Sequence, residues 1–276
     1  MINGDIEEKT SYAKEIFEFF KSLKIQLRVV HALLMREIIT RYGRHNIGFA
    51  WLFVEPMMFT LGIVILWYNL KGAHDGSLNI IPFAVTGYST VLMWRNSAGR
   101  TVHAIEANMG LLYHRNVKIV DVFLARMLLE IASATLSFLF LSLSLITLGL
   151  MDLPNDFLLI FFGWCLLAWF SLALGLLVGS LAELSELVDR FWHTITYLLF
   201  PLSGAAFMVE WLPELLQKFV LYMPMVHSVE MIRHGYYGNL VVTHENIPYF
   251  IWSNLILSFI GLSALRYIGS KVEGNS

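Results

Sequence analysis

Charge is scarce in this chain of 276 residues: 14% are Asp, Glu, Lys or Arg, while 57% are hydrophobic. An ordinary soluble domain carries about 25% charged residues, so the shortage excludes that class and points to a membrane protein. Cysteine is almost absent. Cys165 lies in an apolar run and has no second cysteine to join, which excludes an intrachain disulfide. No G-x-x-x-x-G-K-[ST] motif occurs, so ATP hydrolysis through a P-loop is excluded, and any ATP-driven step needs a second chain. No H-E-x-x-H occurs either. Ionisable residues are rare inside the apolar stretches, with only Glu55 and His193 lying well within them, fewer than a proton relay uses. The hydropathy does not repeat in two Gly/Pro-broken halves, as an inverted-repeat secondary transporter would require. The first residues, MINGDIEEKTSYAKE, are polar and mixed in charge, so no cleavable signal peptide is expected and the spans themselves direct insertion.

What the chain does contain is long apolar intervals bounded by charge. A helix needs about 20 apolar residues to cross the hydrocarbon layer. Six intervals qualify: Asn46 to Tyr68, Gly76 to Trp94, Ile131 to Met151, Phe157 to Ala182, Phe191 to Val209, and Ile247 to Leu265. A seventh, Phe219 to Val229, is too short to cross and reads as re-entrant or interfacial. Six spans put both termini on one side. Sixteen of the nineteen Lys and Arg residues fall on that side, which makes it the cytoplasm. Ahead of the first span, Ile16, Phe20, Leu23, Leu27, Val30 and Leu34 recur at helical spacing with Lys21, Lys24 and Arg28 interleaved. This pattern predicts an amphipathic helix, lying in the headgroup layer or packed on the rest of the protein. The expected fold is therefore an all-α membrane protein. Residues 1–45 form a cytoplasmic tail and interfacial helix, and residues 46–276 form a six-span domain with re-entrant helices before the last span.

The run REIITRYGRHNIGFAWLFVEP (Arg36 to Pro56), with the basic loop after span two and MPMVHSVEMIRHGYYG (Met223 to Gly238) before the last span, carries a resemblance. It resembles the inner-membrane permease of ABC-2 type exporters that move capsular polysaccharide in Gram-negative bacteria, and the likeness covers nearly the whole chain. The resemblance implies a homodimer of permeases joined to two ATP-binding subunits, with ATP bound by those partners and no cofactor in this chain. It also implies a lipid-linked polysaccharide as cargo, periplasmic and outer-membrane export components as further partners, no nucleic acid, and a multi-pass location in the inner membrane. An O-antigen, a teichoic-acid-like polymer or a small drug is an alternative cargo within the class. From a different class, the rival is an integral-membrane transferase acting on lipid-linked sugars. That enzyme needs convergent carboxylates or a metal site, and the acids here are scattered.

Arg36, Arg41, Arg44 and His45 stand where the amphipathic helix turns into the membrane, and Arg95 and Arg100 stand at the cytoplasmic end of span two. Such charges either anchor a span end or bind anions, each Lys or Arg contributing about 1 kcal/mol at an anionic surface. Arginine suits bidentate recognition of phosphate and carboxylate, and the resemblance favours a patch that receives the anionic end of the cargo. Glu55 is a carboxylate inside a span, paired with a nearby arginine or lining an entrance. Pro56 beside it kinks the helix and frees a carbonyl one turn back. Aromatic rings pack on the C–H faces of sugars, and by family likeness Phe53, Phe59 and Tyr197 are expected along a channel. Trp67, Tyr68 and Trp94 fit the aromatic belt at span ends.

In the family, the loop after span two docks on the ATPase, and the resemblance implies that role here for Glu106, Asn108, Tyr113, His114 and Arg115, with Glu183, Glu186 and Asp189 as a second, smaller contact; the pattern alone equally fits a plain cytoplasmic loop. His227, Glu230 and Arg233 recur every three residues and are expected as one mutually paired polar face on a re-entrant helix. Pro224 sets the start of that helix, and Gly235 and Gly238 set its end. No metal site is expected, because the H-x-x-E here has no second copy.

Overall fold

A computed structural model describes residues 2–43, 46–71, 74–75, 78–112 and 117–274. In chain order the helices are α1 (Ile2–Tyr42), α2 (Asn46–Lys71), α3 (Ile80–Gly99), α4 (Met109–Leu112), α5 (Ile119–Thr147), α6 (Phe157–Leu184), α7 (Glu186–Leu202), α8 (Glu214–Val220), α9 (Pro224–Tyr237) and α10 (Ile247–Gly274). The only strands among the described residues, β1 (His74–Asp75) and β2 (Leu78–Asn79), form a small antiparallel hairpin between α2 and α3. The protein is an all-α membrane protein. Among the described residues, four helices are long and apolar enough to cross a bilayer: α2 over Ala50–Leu70, α5, α6, and α10 over Ile247–Ser270.

The other two expected spans differ from expectation for separate reasons. The Asn79 side chain accepts from the Ile81 amide and fixes the start of α3 at Ile80, after the hairpin and later than the Gly76 read from the sequence. Its 20 residues reach about 30 Å at 1.5 Å each. Thr86, Ser89 and Thr90 nevertheless make it less apolar than a lipid-facing helix. Every residue from Ile80 to Trp94 is buried, because α2, α5, α6 and α9 surround the helix. Enclosure by protein relieves α3 of the need for an apolar exterior, and Thr86 and Thr90 satisfy their hydroxyls on the carbonyls of Pro82 and Gly87. Trp94, expected in the aromatic belt, is instead buried in the core, since α3 continues past it to Gly99.

α7 stops at Leu202, well short of Val209, with Pro201 in its last turn. Its 17 residues span about 25 Å. The chain then turns through Gly204 at φ +80, a conformation that glycine adopts without strain. α5, by contrast, begins earlier than Ile131. Asp121 accepts from the Lys118 amide at 2.8 Å and caps a helix that runs from Ile119, so Arg126 and Glu130 lie inside it.

α1 docks along α5. Gln26, Val30, Leu33, Glu37 and Arg41 face the bundle, with Val30 buried, Leu33 packed on the apolar cluster beneath α5, and the Gln26 amide donating to Asp121. The amphipathic stripe read from the sequence mostly faces away: Phe20, Leu23 and Leu27 are exposed, and so are Lys21, Lys24 and Arg28. One helix therefore keeps one face for the protein and offers another, apolar and basic, to its surroundings. The bundle thus has two distinct ends, one carrying α1 and the other carrying α8 and α9.

Candidate functional site: an arginine-bearing cavity at the α1 end

Pro56 has no amide hydrogen, so the carbonyl of Leu52, one turn back, loses its helical donor. Ser133 of α5 supplies a replacement, its hydroxyl donating to that oxygen. The contact fixes α2 against α5 at the edge of a cavity of about 400 Å³. Glu55 and Phe59 of α2 line it. α3 contributes Arg95 and Asn96 and its C-cap Arg100, α5 contributes Glu130 and Ser133, and α7 contributes Trp192, His193 and Thr196.

Two cations in this cavity have unused donors. The Arg100 side chain is half exposed and spends only its Nε, at 3.0 Å, on Glu130; among the described residues its two terminal nitrogens have no partner. The Arg95 guanidinium lies 4.7 Å from the centre of the Tyr197 ring and makes no hydrogen bond among the described residues. A cation stacked on a ring keeps its N–H edges free for an anion. Trp192 offers an indole wall, while Asn96 and His193 add neutral polar groups. Two arginines and two glutamates line the cavity, and the free N–H edges of Arg95 and Arg100 are what enable it to take an anion together with an uncharged ring-shaped group.

The structure separates the residues expected to bind cargo. Arg95 and Arg100 meet in the cavity. Arg36 instead donates to Asn108 at 2.7 Å, and Arg41 bridges Glu37 at 3.2 Å and Glu130, so both spend donors fastening α1 to α5 and to the segment after α3. Arg44 and His45 lie outside the described residues. Glu55 makes no ion pair among the described residues; it is exposed and lines the cavity, the second of its two expected roles, while Glu130 holds Arg41 and Arg100. Phe59 is in place and Tyr197 sits under Arg95, but Phe53 turns away to pack on Phe140 at 5.5 Å. Glu130 is the functional residue that sequence reasoning missed. Its signal was present as Arg126, Glu130 and Ser133 on one helical face, straddling the assumed start of the span at Ile131.

Residues 28–237 match the ABC-2 type transporter family. The chain belongs to that family. It is 47% identical over 255 residues to the capsule polysaccharide export inner-membrane protein CtrC of Neisseria meningitidis serogroup B, covering 92% of this chain and 96% of that protein. It is 44% identical, with the same coverage, to the capsule polysaccharide export inner-membrane protein BexB of Haemophilus influenzae. The polysialic acid transport protein KpsM of Escherichia coli is 26% identical over 243 residues, 88% of this chain and 94% of that protein.

At the opposite end of this ABC-2 transporter protein, His227, Glu230 and Arg233 sit on α9 with Pro224 at its first turn and Gly238 closing it, whereas Gly235, also expected at the end, lies inside the helix. They do not pair with one another. Arg233, fully buried, donates to the carbonyls of Gly204, Ala205 and Phe207 at 2.6 to 2.7 Å and lies 3.9 Å from the Phe83 ring centre. Glu230 accepts the amides of Val209 and His244. His227 accepts the Asn246 amide on Nδ1 and reaches the Leu221 carbonyl with Nε2, which occupies both ring nitrogens. Each side chain fastens a loop from elsewhere because helical loops leave backbone groups unpaired, and buried backbone groups need partners. No group of three or more metal-ligating side chains occurs among the described residues.

The loop after α3 forms a 3-10 turn, Glu106–Asn108, followed by α4. Glu106 is exposed, whereas Asn108 is buried, held between Arg36 and the Ala104 carbonyl, and so faces the interior rather than a docking partner. Tyr113, His114 and Arg115 lie outside the described residues. His103 reaches Asp189 at 3.2 Å, which joins this loop to the first turn of α7.

Proposed function

We propose that this chain is the transmembrane permease subunit of an ATP-driven exporter that moves lipid-linked capsular polysaccharide across the inner membrane. The observation that carries the reading is the cavity in which Arg95 and Arg100 present unused donors beside Trp192 and Phe59. A phosphate at the lipid end of the cargo is the anion such arginines suit. The aromatic walls offer sugar rings a face to slide over without reading their sequence. The names of the relatives, which cover nearly the whole chain, support capsular polysaccharide as cargo.

In this reading α3 and α7 complete six spans, and the Lys and Arg bias puts both termini and the α1 end in the cytoplasm. Two copies of this chain form the permease and two ATP-binding subunits drive it, docking on the loop that carries Glu106. Periplasmic and outer-membrane components receive the polymer beyond the α9 end. The test is ATPase activity of the chain purified with its partner subunit, alongside capsule export in cells, for wild type and Arg95→Ala/Arg100→Ala. The expected result is an assembled complex with basal hydrolysis, without stimulation by the lipid-linked polymer and without export. Normal stimulation and export in the double variant would remove the cavity from the mechanism.

A further inference from the structure

One carboxylate oxygen joins the cavity to the amphipathic helix. Glu130 Oε1 accepts from Arg100 Nε at 3.0 Å and from Arg41 Nη1, and its side chain is 6% exposed. Arg100 belongs to the cavity. Arg41 belongs to the last turn of α1. The neighbours reinforce the same junction: Glu37 of α1 lies 3.2 Å from Arg41 and 3.6 Å from Arg126 of α5, and Arg126 donates to the Arg100 carbonyl at 3.1 Å. Two cations that serve different parts of the molecule therefore share one buried acceptor.

Sharing makes the two interactions compete. A phosphate ester entering the cavity finds the free terminal nitrogens of Arg100, whose planar fork matches two phosphate oxygens. Its negative charge, brought next to Glu130 in a site partly shielded from water, also repels that carboxylate. Both effects weaken the Arg100–Glu130 pair and leave Glu130 to Arg41.

Resting on the reading of the cavity as the anion receptor, we propose that Glu130 is a positioning residue that reports an anionic headgroup in the cavity to α1, tightening the docking of α1 on α5 when Arg100 is engaged by the ligand. Linkage requires the converse: fastening Arg41 to Glu130 strengthens anion binding at Arg100. Removing the carboxylate also strengthens anion binding, because its repulsion is gone. Any carboxylate beside the anion raises affinity when neutralised, so the loss of the α1 response is what separates a positioning role from a structural one.

The experiment uses the full chain with its ATP-hydrolysing partner in phosphatidylcholine nanodiscs. It titrates dihexanoyl phosphatidic acid, inorganic phosphate and zwitterionic dihexanoyl phosphatidylcholine while following backbone hydrogen exchange in residues 33–42 and binding affinity. Phosphatidic acid is expected to slow exchange in that segment about fivefold, the lower end of ordinary coupling between sites, and phosphatidylcholine is expected to leave it unchanged. In Glu130→Gln the slowing disappears while phosphatidic acid binds more tightly. In Arg41→Gln, which serves if Glu130→Gln does not fold, the anion still binds and exchange no longer responds.

An equal response to inorganic phosphate supports the link and assigns the cavity to free phosphate rather than to a lipid headgroup. Binding that requires Arg95 and Arg100 but leaves exchange unchanged overturns the link alone. So does an exchange response that persists in Glu130→Gln or Arg41→Gln. Binding that survives Arg95→Ala/Arg100→Ala overturns the cavity reading and the link together.

Discussion

The Ser133 hydroxyl donates to the carbonyl of Leu52, the acceptor that Pro56 releases one turn later in α2. A freed carbonyl in a helix that crosses lipid has no water to turn to, so a neighbouring hydroxyl is the natural replacement. Ser133→Ala is expected to lower stability by about 1 kcal/mol, in the range found for hydroxyl contacts between membrane helices. Pro56→Ala restores the missing amide, and in that background the cost of Ser133→Ala should nearly vanish. The double-mutant cycle, measured as unfolding midpoints in detergent, reads the coupling directly. Additive effects would mean that the Leu52 carbonyl is satisfied in some other way.

At the other end of the bundle, Arg233 is a cation held almost wholly by backbone carbonyls. Its place depends on Gly87: a Cβ there would stand 2.3 Å from the Ala205 oxygen and 2.7 Å from the Arg233 guanidinium. Gly87→Ala and Arg233→Lys should therefore fail in the same way, the first by pushing the segment after α7 off α3, the second by replacing a fork that serves three carbonyls with a point charge. Losing the partners of a buried charge costs about 3 to 5 kcal/mol. Both variants are expected to lose the monodisperse peak in size-exclusion chromatography that the wild type gives, whereas Gly62→Ala, with open space around it, should retain it.

How legible all this was in the sequence depended on distance along the chain. The α1 helix, the carbonyl freed by Pro56 and the cavity arginines Arg95 and Arg100 were legible because each follows from local pattern: spacing, one proline, charge at a span end. Glu130 was not, since its meaning comes from Arg41 and Arg100, far away in sequence, and apolarity alone placed the start of α5 after it. The face formed by His227, Glu230 and Arg233 was legible as a face but not in its partners. These are backbone groups at 204–209, 221 and 244–246, which only the packed loops bring close. Enclosure of α3 was invisible for the same reason, as a helix wrapped by protein and one facing lipid differ in neighbours before they differ in composition.

Acid should loosen the connection into α10 through a specific pair. His234 Nδ1 lies 2.5 Å from Glu245 Oε1. Burial acts to raise the Glu245 carboxyl, but the hydrogen bonds from His234 and Thr243 outweigh it and hold the group below the usual glutamate range. A lowered folded value means stability that is complete above the unfolded value and is lost as pH falls through the folded one. The wild type should therefore lose stability on acidification from the ordinary glutamate range downward, and Glu245→Gln should lose less over that interval while being less stable near neutrality. Unfolding midpoints measured across pH for the two proteins check this; parallel curves would remove Glu245 from the acid response.

His103 and Asp189, 3.2 Å apart, make one surface of the loop after α3 and the first turn of α7, with Glu106 and Glu186 largely exposed on either side. If the ATP-hydrolysing subunit docks here, as proposed, the exposed acids act at long range on its approach, and rim charges of this kind change association rates more than lifetimes. Glu106→Lys/Glu186→Lys is then expected to slow association with the partner about tenfold at low salt and by much less at high salt, where screening shortens their reach. The dissociation rate should hardly change. Surface plasmon resonance of the detergent-solubilised chain against the partner at two salt concentrations separates these rates. A slower association at every salt concentration, or a changed dissociation rate alone, would place the docking surface elsewhere, since neither pattern arises from exposed charges at the edge of an interface.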